Sequence, residues 1–282
     1  MKNGKYKRVF SLLFTFLTFY VGTQAQAEAT KSTLSMLVVP QFPVTEIHEN
    51  WGRVLDGLQN LGLPRIELFF AKDIDEFESL FKAGQADLIY CNPYHMVMAK
   101  REQGYRPLIR DDKPLKGLLI ARRDKDEDPV HSLSDLHDRT LLFPSPNAFG
   151  ASLYMRALLT RKEGIQFQTK YVKTHSNVIR GVVRKDGQAG GMVGATLAAE
   201  NPDLKNRVKI IYETPPVAAH PIAAHPRVPL QVQAAFQNAL LTYLKGNPTY
   251  ARAIQLPNPV MADYQRDYEP LEQLNLDEFV SK

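Results

Sequence analysis

The sequence has 282 residues, of which 44% are hydrophobic and 23% are charged, and it contains a single cysteine. These fractions are typical of a globular protein and exclude a disordered or low-complexity chain. One cysteine excludes an intramolecular disulfide and any multi-cysteine zinc or iron–sulfur site. The formal net charge is +5, and whether this favours nucleic acid as a partner depends on where the basic residues lie.

The basic excess is concentrated at the N-terminus. Residues 1–27 contain four basic residues and no acidic one, and an uncharged run of thirteen residues extends from Val9 to Val21. Such a run is too short for a bilayer core, which needs about 20 apolar residues. With Ala25-Gln26-Ala27 as the cleavage site, the pattern predicts a signal peptide over residues 1–27, an uncleaved membrane anchor being the alternative. The remaining residues hold 31 basic and 30 acidic side chains, so nucleic acid is not an expected partner.

Short apolar runs alternate with helical patterns along the rest of the chain. Apolar residues three and four positions apart predict helices, one of them with Ile47, Trp51 and Leu58 on its buried face, and others over residues 151–159 and 232–243. This alternation predicts an α/β fold with parallel or mixed sheets and helices on both faces. The predicted strands comprise residues 34–39, 66–70, 87–90, 115–121, 140–143, 169–172, 189–193 and 208–212.

About 250 residues of this pattern are too many for one doubly wound sheet, so we expect two lobes. The predicted strands that end before the charged stretch 122–128 and at Thr214-Pro215-Pro216 place the two crossings between lobes near residues 115–121 and 212–219. We expect residues 28–115 and 216–282 to form lobe 1, and residues 116–215 to form lobe 2.

Three junctions between a strand and the following helix are candidates for a ligand site, because ligands of open α/β sheets lie off the carboxyl ends of strands. Asn92 and Pro93 are typical first residues of a helix. In the turn 144–152, Ser145 or Asn147 could cap a helix, and Gly150 permits close approach to the backbone. In the third junction, residues 173–177, Thr174 or Ser176 could cap a helix that begins near His175. Helix starts aimed into one cleft would bind an anion, and ordinary βα turns are the alternative.

Five motifs follow one another along the chain: Val38-Val39-Pro40 with the helix of Trp51 after it, residues 84–90 (GQADLIY), the turn 144–152, Thr174-His175-Ser176-Asn177, and Thr214-Pro215-Pro216 followed by His220-Pro221. By these motifs the chain resembles the phosphate, phosphite and phosphonate-binding (PhnD-like) branch of periplasmic solute-binding proteins. The resemblance extends over nearly all of residues 28–282, and the order and spacing of its motifs are fairly specific. It implies a type II, flytrap-like fold, with a mixed sheet in each lobe and two hinge crossings, that closes on a ligand. It also implies a periplasmic monomer that delivers its ligand to an ABC permease and has no cofactor, metal or catalytic residue.

The chain departs from this family at several ligand positions. Ala148 and Phe149 occupy positions where the family has hydroxyl residues, and Cys91 stands where the family has a ligand tyrosine. His220 replaces an acidic residue that holds an amino group in aminoalkylphosphonate binders, and a second acid expected near residues 189–191 is missing. The resemblance therefore implies a compact oxyanion, held by backbone N–H groups and by the retained His175. The candidate ligand-binding residues are Gln41, Tyr90, Cys91, Asn92, Tyr94, Ser145, Asn147, Phe149, Gly150, Ser152, His175, Ser176, Asn177 and His220.

Cys91 and the biological role leave alternatives open. Cys91 is either a sheltered core thiol or a soft ligand for arsenite or another thiophilic species. The same fold could serve as the ligand-binding accessory of a membrane sensor kinase or signalling protein. A third hypothesis is an enzyme in which Cys91 or His175 is catalytic, although no nucleophile elbow or paired-carboxylate site is present in the sequence.

Overall fold

The structure is a computed structural model that describes Met1, residues 33–123 and residues 130–280. The predicted signal peptide, apart from Met1, and most of the charged stretch 122–128 lie outside the described residues. No helix in the described part of the chain is long and apolar enough to cross a membrane.

The described residues form two mixed sheets. The first has the order β11-β4-β10-β3-β1-β2, in which β1 is parallel to β2 and β3, whereas β10 and β11 run antiparallel to their neighbours. The second has the order β7-β6-β8-β5-β9, in which β6 is parallel to β7 and β8, and β5 is antiparallel to β8 and β9. The strands are β1 (Thr33–Val38), β2 (Arg65–Phe69), β3 (Leu88–Tyr90), β4 (Arg106–Asp111), β5 (Gly117–Arg122), β6 (Thr140–Phe143), β7 (Gln168–Tyr171), β8 (Ala189–Val193), β9 (Val208–Glu213), β10 (Pro221–Ala224) and β11 (Pro259–Met261).

Helices follow most of the strands. A mixed helix after β6 consists of a π-helical turn (Phe149–Leu153), α4 (Tyr154–Ala157) and a second π-helical turn (Leu158–Lys162). Short 3₁₀ helices occupy Leu133–Leu136, Glu269–Leu274 and Leu276–Phe279. The remaining helices are α1 (Val44–Asn60), α2 (Ile74–Lys82), α3 (Pro93–Gln103), α5 (His175–Val183), α6 (Gly194–Ala199), α7 (Pro202–Asn206), α8 (Leu230–Gly246), α9 (Pro248–Ala253) and α10 (Tyr264–Asp267).

All eight predicted strands are present within a few residues of their expected bounds, but three strands were missed. β4 has charged residues at both ends of a short apolar centre, and β10 and β11 have only four and three residues, each beginning with proline. None of them is a sustained apolar run, which was the signal used for the other strands. All three belong to the first sheet, where β10 lies between β3 and β4.

Two segments connect the sheets. The chain leaves the first sheet after β4, enters the second at β5, and returns between β9 and β10. The segments touch at Leu115 and Val217, whose main chains exchange two hydrogen bonds of 2.9 and 3.0 Å. This bridge holds the two crossings side by side. The expected lobe boundaries, 28–115 with 216–282 and 116–215, stay a prediction.

The mixed helix packs against both sheets. Its residues Phe149 and Tyr154 belong to the large core cluster of the first sheet, whereas Met155 and Leu159 belong to a core cluster of the second. Its first turn lies directly on the second sheet, where a Cβ on Gly191 would be 1.8 Å from the Ala151 carbonyl oxygen. The two β-sheet cores therefore meet along this helix.

Candidate functional site

A cleft lies where the carboxyl ends of strands from both sheets meet. It encloses ≈ 440 Å³ of empty space, with its open mouth included. Loops after β1, β3, β6 and β7, the end of β8, and the residue before β10 form its wall. Of the candidate residues from the sequence, the cleft brings together Gln41, Asn92, Phe149, Gly150, His175 and His220.

The start of α3 forms one wall of the cleft. Asn92 is the N-cap and Pro93 the first helical residue, as predicted, and Asn92 Oδ1 accepts a 2.8 Å hydrogen bond from the main-chain N–H of His95. Asn92 Nδ2 donates to the carbonyl oxygen of Asn147, 3.2 Å away in the loop after β6. The Asn92 side chain thus caps α3, which follows a strand of the first sheet, and also binds the loop after β6 of the second sheet.

The start of α5 forms the opposite wall. Thr174 is the N-cap, which was one of the two predicted caps, and its hydroxyl accepts a 3.1 Å hydrogen bond from the Asn177 N–H. The first-turn N–H groups of His175 and Ser176 have no carbonyl one turn earlier within the helix to bind, and they carry the positive end of the helix dipole. Lys173 precedes the cap in a left-handed conformation (φ 75°) and also lines the cleft.

The predicted cap of the mixed helix is wrong. Neither Ser145 nor Asn147 caps the mixed helix, because its N-cap position is Ala148, which has no side-chain acceptor. The π-helical turn begins at Phe149, directly after Ala148. The first-turn N–H groups near Gly150 therefore remain uncapped by a side chain and border the cleft.

Two histidines in the cleft wall are buried without a hydrogen-bond partner among the described residues. His175 and His220 are 6% and 7% exposed. One nitrogen of each ring, His175 Nδ1 and His220 Nε2, is sealed from solvent and unpartnered. The other nitrogen of each ring also forms no hydrogen bond within the described ranges and is not sealed. Each imidazole therefore has one nitrogen free to donate to, or accept from, a molecule in the cleft.

Burial keeps both imidazoles neutral, because it lowers the pKa of each ring. It lowers the pKa of His175 to about 4, because the charged ring would lose its hydration. The pKa of His220 is lowered to about 3 by burial, with further lowering from the nearby rings of His95 and His175. No carboxylate lines the cleft within the described residues, and Lys173 is the only charged residue that does. The wall therefore offers hydrogen-bond donors and one cation, which is the chemistry of an anion site.

A buried hydrogen bond supports the start of α3. His95 Nε2 lies 3.1 Å from Glu78 Oε1 on α2, and the imidazole packs against the rings of Phe77 and Phe81. Lys82 contacts the other carboxylate oxygen of Glu78 at 3.0 Å. Although burial opposes ionisation of Glu78, the hydrogen bonds and charges of His95 and Lys82 outweigh it and lower its pKa to about 2. These contacts fix α3 and hence the position of Asn92.

The other candidate residues lie outside the cleft wall. Tyr90 borders a second cavity, and Cys91 is fully buried in the core of the first sheet. Tyr94 donates a 2.7 Å hydrogen bond to Asp277, and the carbonyl oxygen of Asn147 accepts from Asn92. Ser145 has a sealed, unpartnered hydroxyl. The last three candidates are held by neighbours: Ser152 accepts from Arg156 Nε, Ser176 donates to Glu200, and Asn177 Nδ2 donates to the Val172 carbonyl.

Sequence reasoning missed part of the wall. Ile74, at the start of α2, and Val193, at the end of β8, line the cleft but carry no chemical signature. Lys173 could have been found, because it follows a predicted strand and directly precedes a predicted helix cap, where a cation faces any ligand of the helix start. Among the described residues, no group of three His, Cys, Asp or Glu side chains could hold a metal ion.

Two mixed sheets joined by two crossings, with a polar cleft at their carboxyl ends, define the class of two-lobed periplasmic binding proteins. A family model described as the periplasmic substrate-binding protein of phosphonate ABC transporters matches residues 36–281. The chain belongs to this family, which confirms the resemblance found in the sequence. No curated protein matches the sequence.

Solved structures share the fold at low sequence identity. PhnD1 from Prochlorococcus marinus, in complex with methylphosphonate, has a TM-score of 0.74 and 13% identity over 88% of this chain and 98% of its own. A binding-protein component of an ABC phosphonate transporter from Pseudomonas aeruginosa has a TM-score of 0.73 and 15% identity, covering 87% of this chain and 86% of its own. A chloride-bound protein from Xanthomonas citri has a TM-score of 0.71 and 18% identity, covering 88% and 99%. These similarities establish the two-lobed fold.

Proposed function

We propose that the protein binds a small tetrahedral oxyanion of the phosphate, phosphite or phosphonate type in the cleft between the two sheets. The observation that carries this proposal is the pair His175 and His220, both buried in the wall without a partner. Each ring also has one nitrogen that is open to the cleft and forms no hydrogen bond with a described residue, so a ligand that bonds this nitrogen supplies the partner that the wall lacks. An anion suits them because the wall contains Lys173 and no carboxylate among the described residues.

The size of the cleft supports a compact ligand. Its empty space of ≈ 440 Å³, with the open mouth included, lies in the lower part of the roughly 300–1,000 Å³ range of small-molecule sites. The absence of a lining carboxylate within the described ranges disfavours a ligand ammonium at this position. An oxyanion head group held by the starts of α3, the mixed helix and α5 satisfies both conditions.

The delivery route forms part of the same proposal. Residues 1–27 would direct export to the periplasm and be removed, and the remaining chain would act as a monomer. Closure of the lobes would be favoured by the anion because only the closed cleft lets both walls bind it, and the closed form would be read by an ABC permease. No catalytic step is included, since the cleft contains no nucleophile paired with a base among the described residues.

Calorimetric titration of the protein, expressed without residues 1–27, tests the proposal. The probes are methylphosphonate, phosphite, phosphate, sulfate and arsenite, with glycine and glucose as chemically different small molecules. We expect at least one phosphorus oxyanion to bind with micromolar or tighter affinity. Binding of glycine or glucose with no response to any oxyanion would contradict the proposal.

A pair of histidine variants assigns the binding to this cleft. His175→Gln removes an imidazole of the wall, whereas His131→Gln changes an exposed histidine elsewhere. Loss of a hydrogen bond to a charged ligand costs about 1.5–3 kcal/mol, so His175→Gln should weaken binding by about 10- to 100-fold. Equal weakening by both substitutions would place the anion outside the cleft.

A further inference from the structure

A second cavity lies beside the cleft, on the same carboxyl edge of the first sheet. It encloses ≈ 310 Å³ of empty space between the end of β1, α1 and the end of α9. Val39 and Gln41 line both the cleft and this cavity. The cleft and the cavity therefore adjoin at the turn after β1.

Aromatic rings connect the cavity with the cleft. Trp51 and Tyr90 line the cavity, with ring centroids 5.1 Å apart. Tyr90 also packs against His220 of the cleft wall, at 5.6 Å between centroids. A group that contacts the Tyr90 ring would therefore lie close to an anion that binds His220.

The aromatic residues of the cavity carry polar atoms without partners. Trp51 and Tyr90 are only 3% and 4% exposed, yet neither the indole N–H nor the phenol hydroxyl forms a hydrogen bond with a described residue. Neither atom is sealed from solvent, so both remain available to a molecule in the cavity. Burial raises the pKa of Tyr90, which keeps its hydroxyl protonated and able to donate. The indole N–H can only donate, so the occupant must offer an acceptor.

We infer that this cavity binds the organic substituent of the ligand, and that the ligand is a phosphonate with a neutral, oxygen-bearing arm. The inference rests on the proposed function, because it needs the anionic head group in the cleft. The oxygen of the arm would accept from Trp51 Nε1 and exchange a hydrogen bond with the Tyr90 hydroxyl, while its carbons pack on the two rings. Glu46 lines the cavity at its exposed rim and opposes an anionic arm.

Three probes with the same phosphonate head group test the inference. 2-Hydroxyethylphosphonate has the neutral oxygen, methylphosphonate has no arm, and phosphonoacetate has an anionic arm of similar length. We expect 2-hydroxyethylphosphonate to bind about 10-fold more tightly than either of the others, which corresponds to one or two hydrogen bonds and apolar contact. Trp51 is the sole tryptophan of the chain, so its emission should change with 2-hydroxyethylphosphonate and much less with methylphosphonate.

Variants that remove single polar atoms locate the arm. Tyr90→Phe removes one hydroxyl and should reduce the preference for 2-hydroxyethylphosphonate over methylphosphonate by threefold or more, and Trp51→Phe should reduce it similarly in calorimetry. Tyr250→Phe on α9, which also loses one hydroxyl but does not line the cavity, should leave the preference unchanged. For each variant we compare the ratio of the dissociation constants of the two ligands. A general loss of stability would weaken the binding of both ligands and leave this ratio unchanged.

The outcomes separate this inference from the proposed function. Equal binding of 2-hydroxyethylphosphonate and methylphosphonate by the wild-type chain, with no difference in Trp51 emission, would overturn the inference and leave the oxyanion site intact. A preference that persists in both Tyr90→Phe and Trp51→Phe would also overturn it, since the arm would then lie elsewhere. Failure of every phosphonate and inorganic oxyanion to bind would overturn both.

Discussion

Asn92 and Asn147 join the two walls of the cleft through a 3.2 Å hydrogen bond from Asn92 Nδ2 to the Asn147 carbonyl oxygen. The two residues follow strands of different sheets, β3 and β6. The oxygen of the same Asn92 side chain caps α3. The position of the helix start and the approach of the two walls therefore depend on one amide group, which is itself buried.

Substitution of Asn92 separates these two roles. Asn92→Ser keeps an oxygen that can cap α3 but is too short to reach Asn147, whereas Asn92→Ala loses both contacts. Both variants should weaken oxyanion binding about 5- to 10-fold, because a hydrogen bond contributes about 1 kcal/mol. Only Asn92→Ala should lose a further ~1 kcal/mol of unfolding free energy with the cap. Calorimetry measures the first effect and urea unfolding the second. Wild-type affinity in Asn92→Ser would show that the contact does not hold the walls together.

The stability of the ligand-free protein should fall as the pH is lowered from about 6.5. The folded-state pKa values of His175 and His220 are about 4 and about 3, against 6.5 for the free side chain. The unfolded chain therefore takes up protons first, and stability declines from pH 6.5 downward until the folded pKa values are reached. A tenfold difference in proton affinity between the folded and unfolded chain corresponds to about 1.4 kcal/mol. Urea unfolding at pH 8, 7, 6 and 5 measures the loss.

A double variant identifies the source of this pH dependence. His175→Gln/His220→Gln should flatten the profile between pH 6.5 and 5, because glutamine does not titrate. Glu78 acts in a different window: its folded pKa is about 2 against 4.5, so its contribution is present above pH 4.5 and is lost only below it. An unchanged slope between pH 6.5 and 5 in the double variant would assign the effect to other groups.

The sequence predicted the parts of the fold that local chemistry determines. The buried face of α1, with Ile47, Trp51 and Leu58, follows from apolar spacing, and the starts of α3 and α5 follow from Asn92-Pro93 and Thr174. These features depend on residues within one or two turns of one another. Propensity and capping operate at that range, so the sequence alone contains the signal.

Features that depend on distant residues were not predictable in the same way. β10 has four residues and becomes a strand because β3 and β4 flank it in the sheet. His220 is placed in the cleft by the strand that begins one residue later, so its contact with Tyr90 has no local signal. The loop 144–148 was expected to end in a polar cap, but packing of the mixed helix on Gly117 and Gly191 determines where that helix begins.

Packing of the mixed helix predicts a sharp contrast between two neighbouring glycines. A Cβ on Gly191 would lie 1.8 Å from the Ala151 carbonyl oxygen, whereas a Cβ on Gly194 would meet nothing within 4 Å. Gly191→Ala must therefore displace the backbone of the helix, and overpacking of this kind costs about 1–3 kcal/mol or more. Gly194→Ala should change the unfolding free energy by less than about 0.5 kcal/mol. Thermal unfolding of both variants measures the contrast, and similar melting temperatures would contradict the close packing.

The reactivity of Cys91 distinguishes a core thiol from a ligand thiol. Cys91 is fully buried in the first-sheet core, and burial raises its pKa, so the side chain is a neutral thiol without access to reagents. Ellman's reagent should therefore label no thiol in the native protein and one thiol per chain after unfolding in guanidinium, since the chain has one cysteine. In a second sample, the native protein is first incubated with arsenite, then desalted, unfolded and labelled. Arsenite should not reduce the number of thiols labelled in this sample. Rapid labelling of the native protein, or protection by arsenite, would place the sulfur in the cleft.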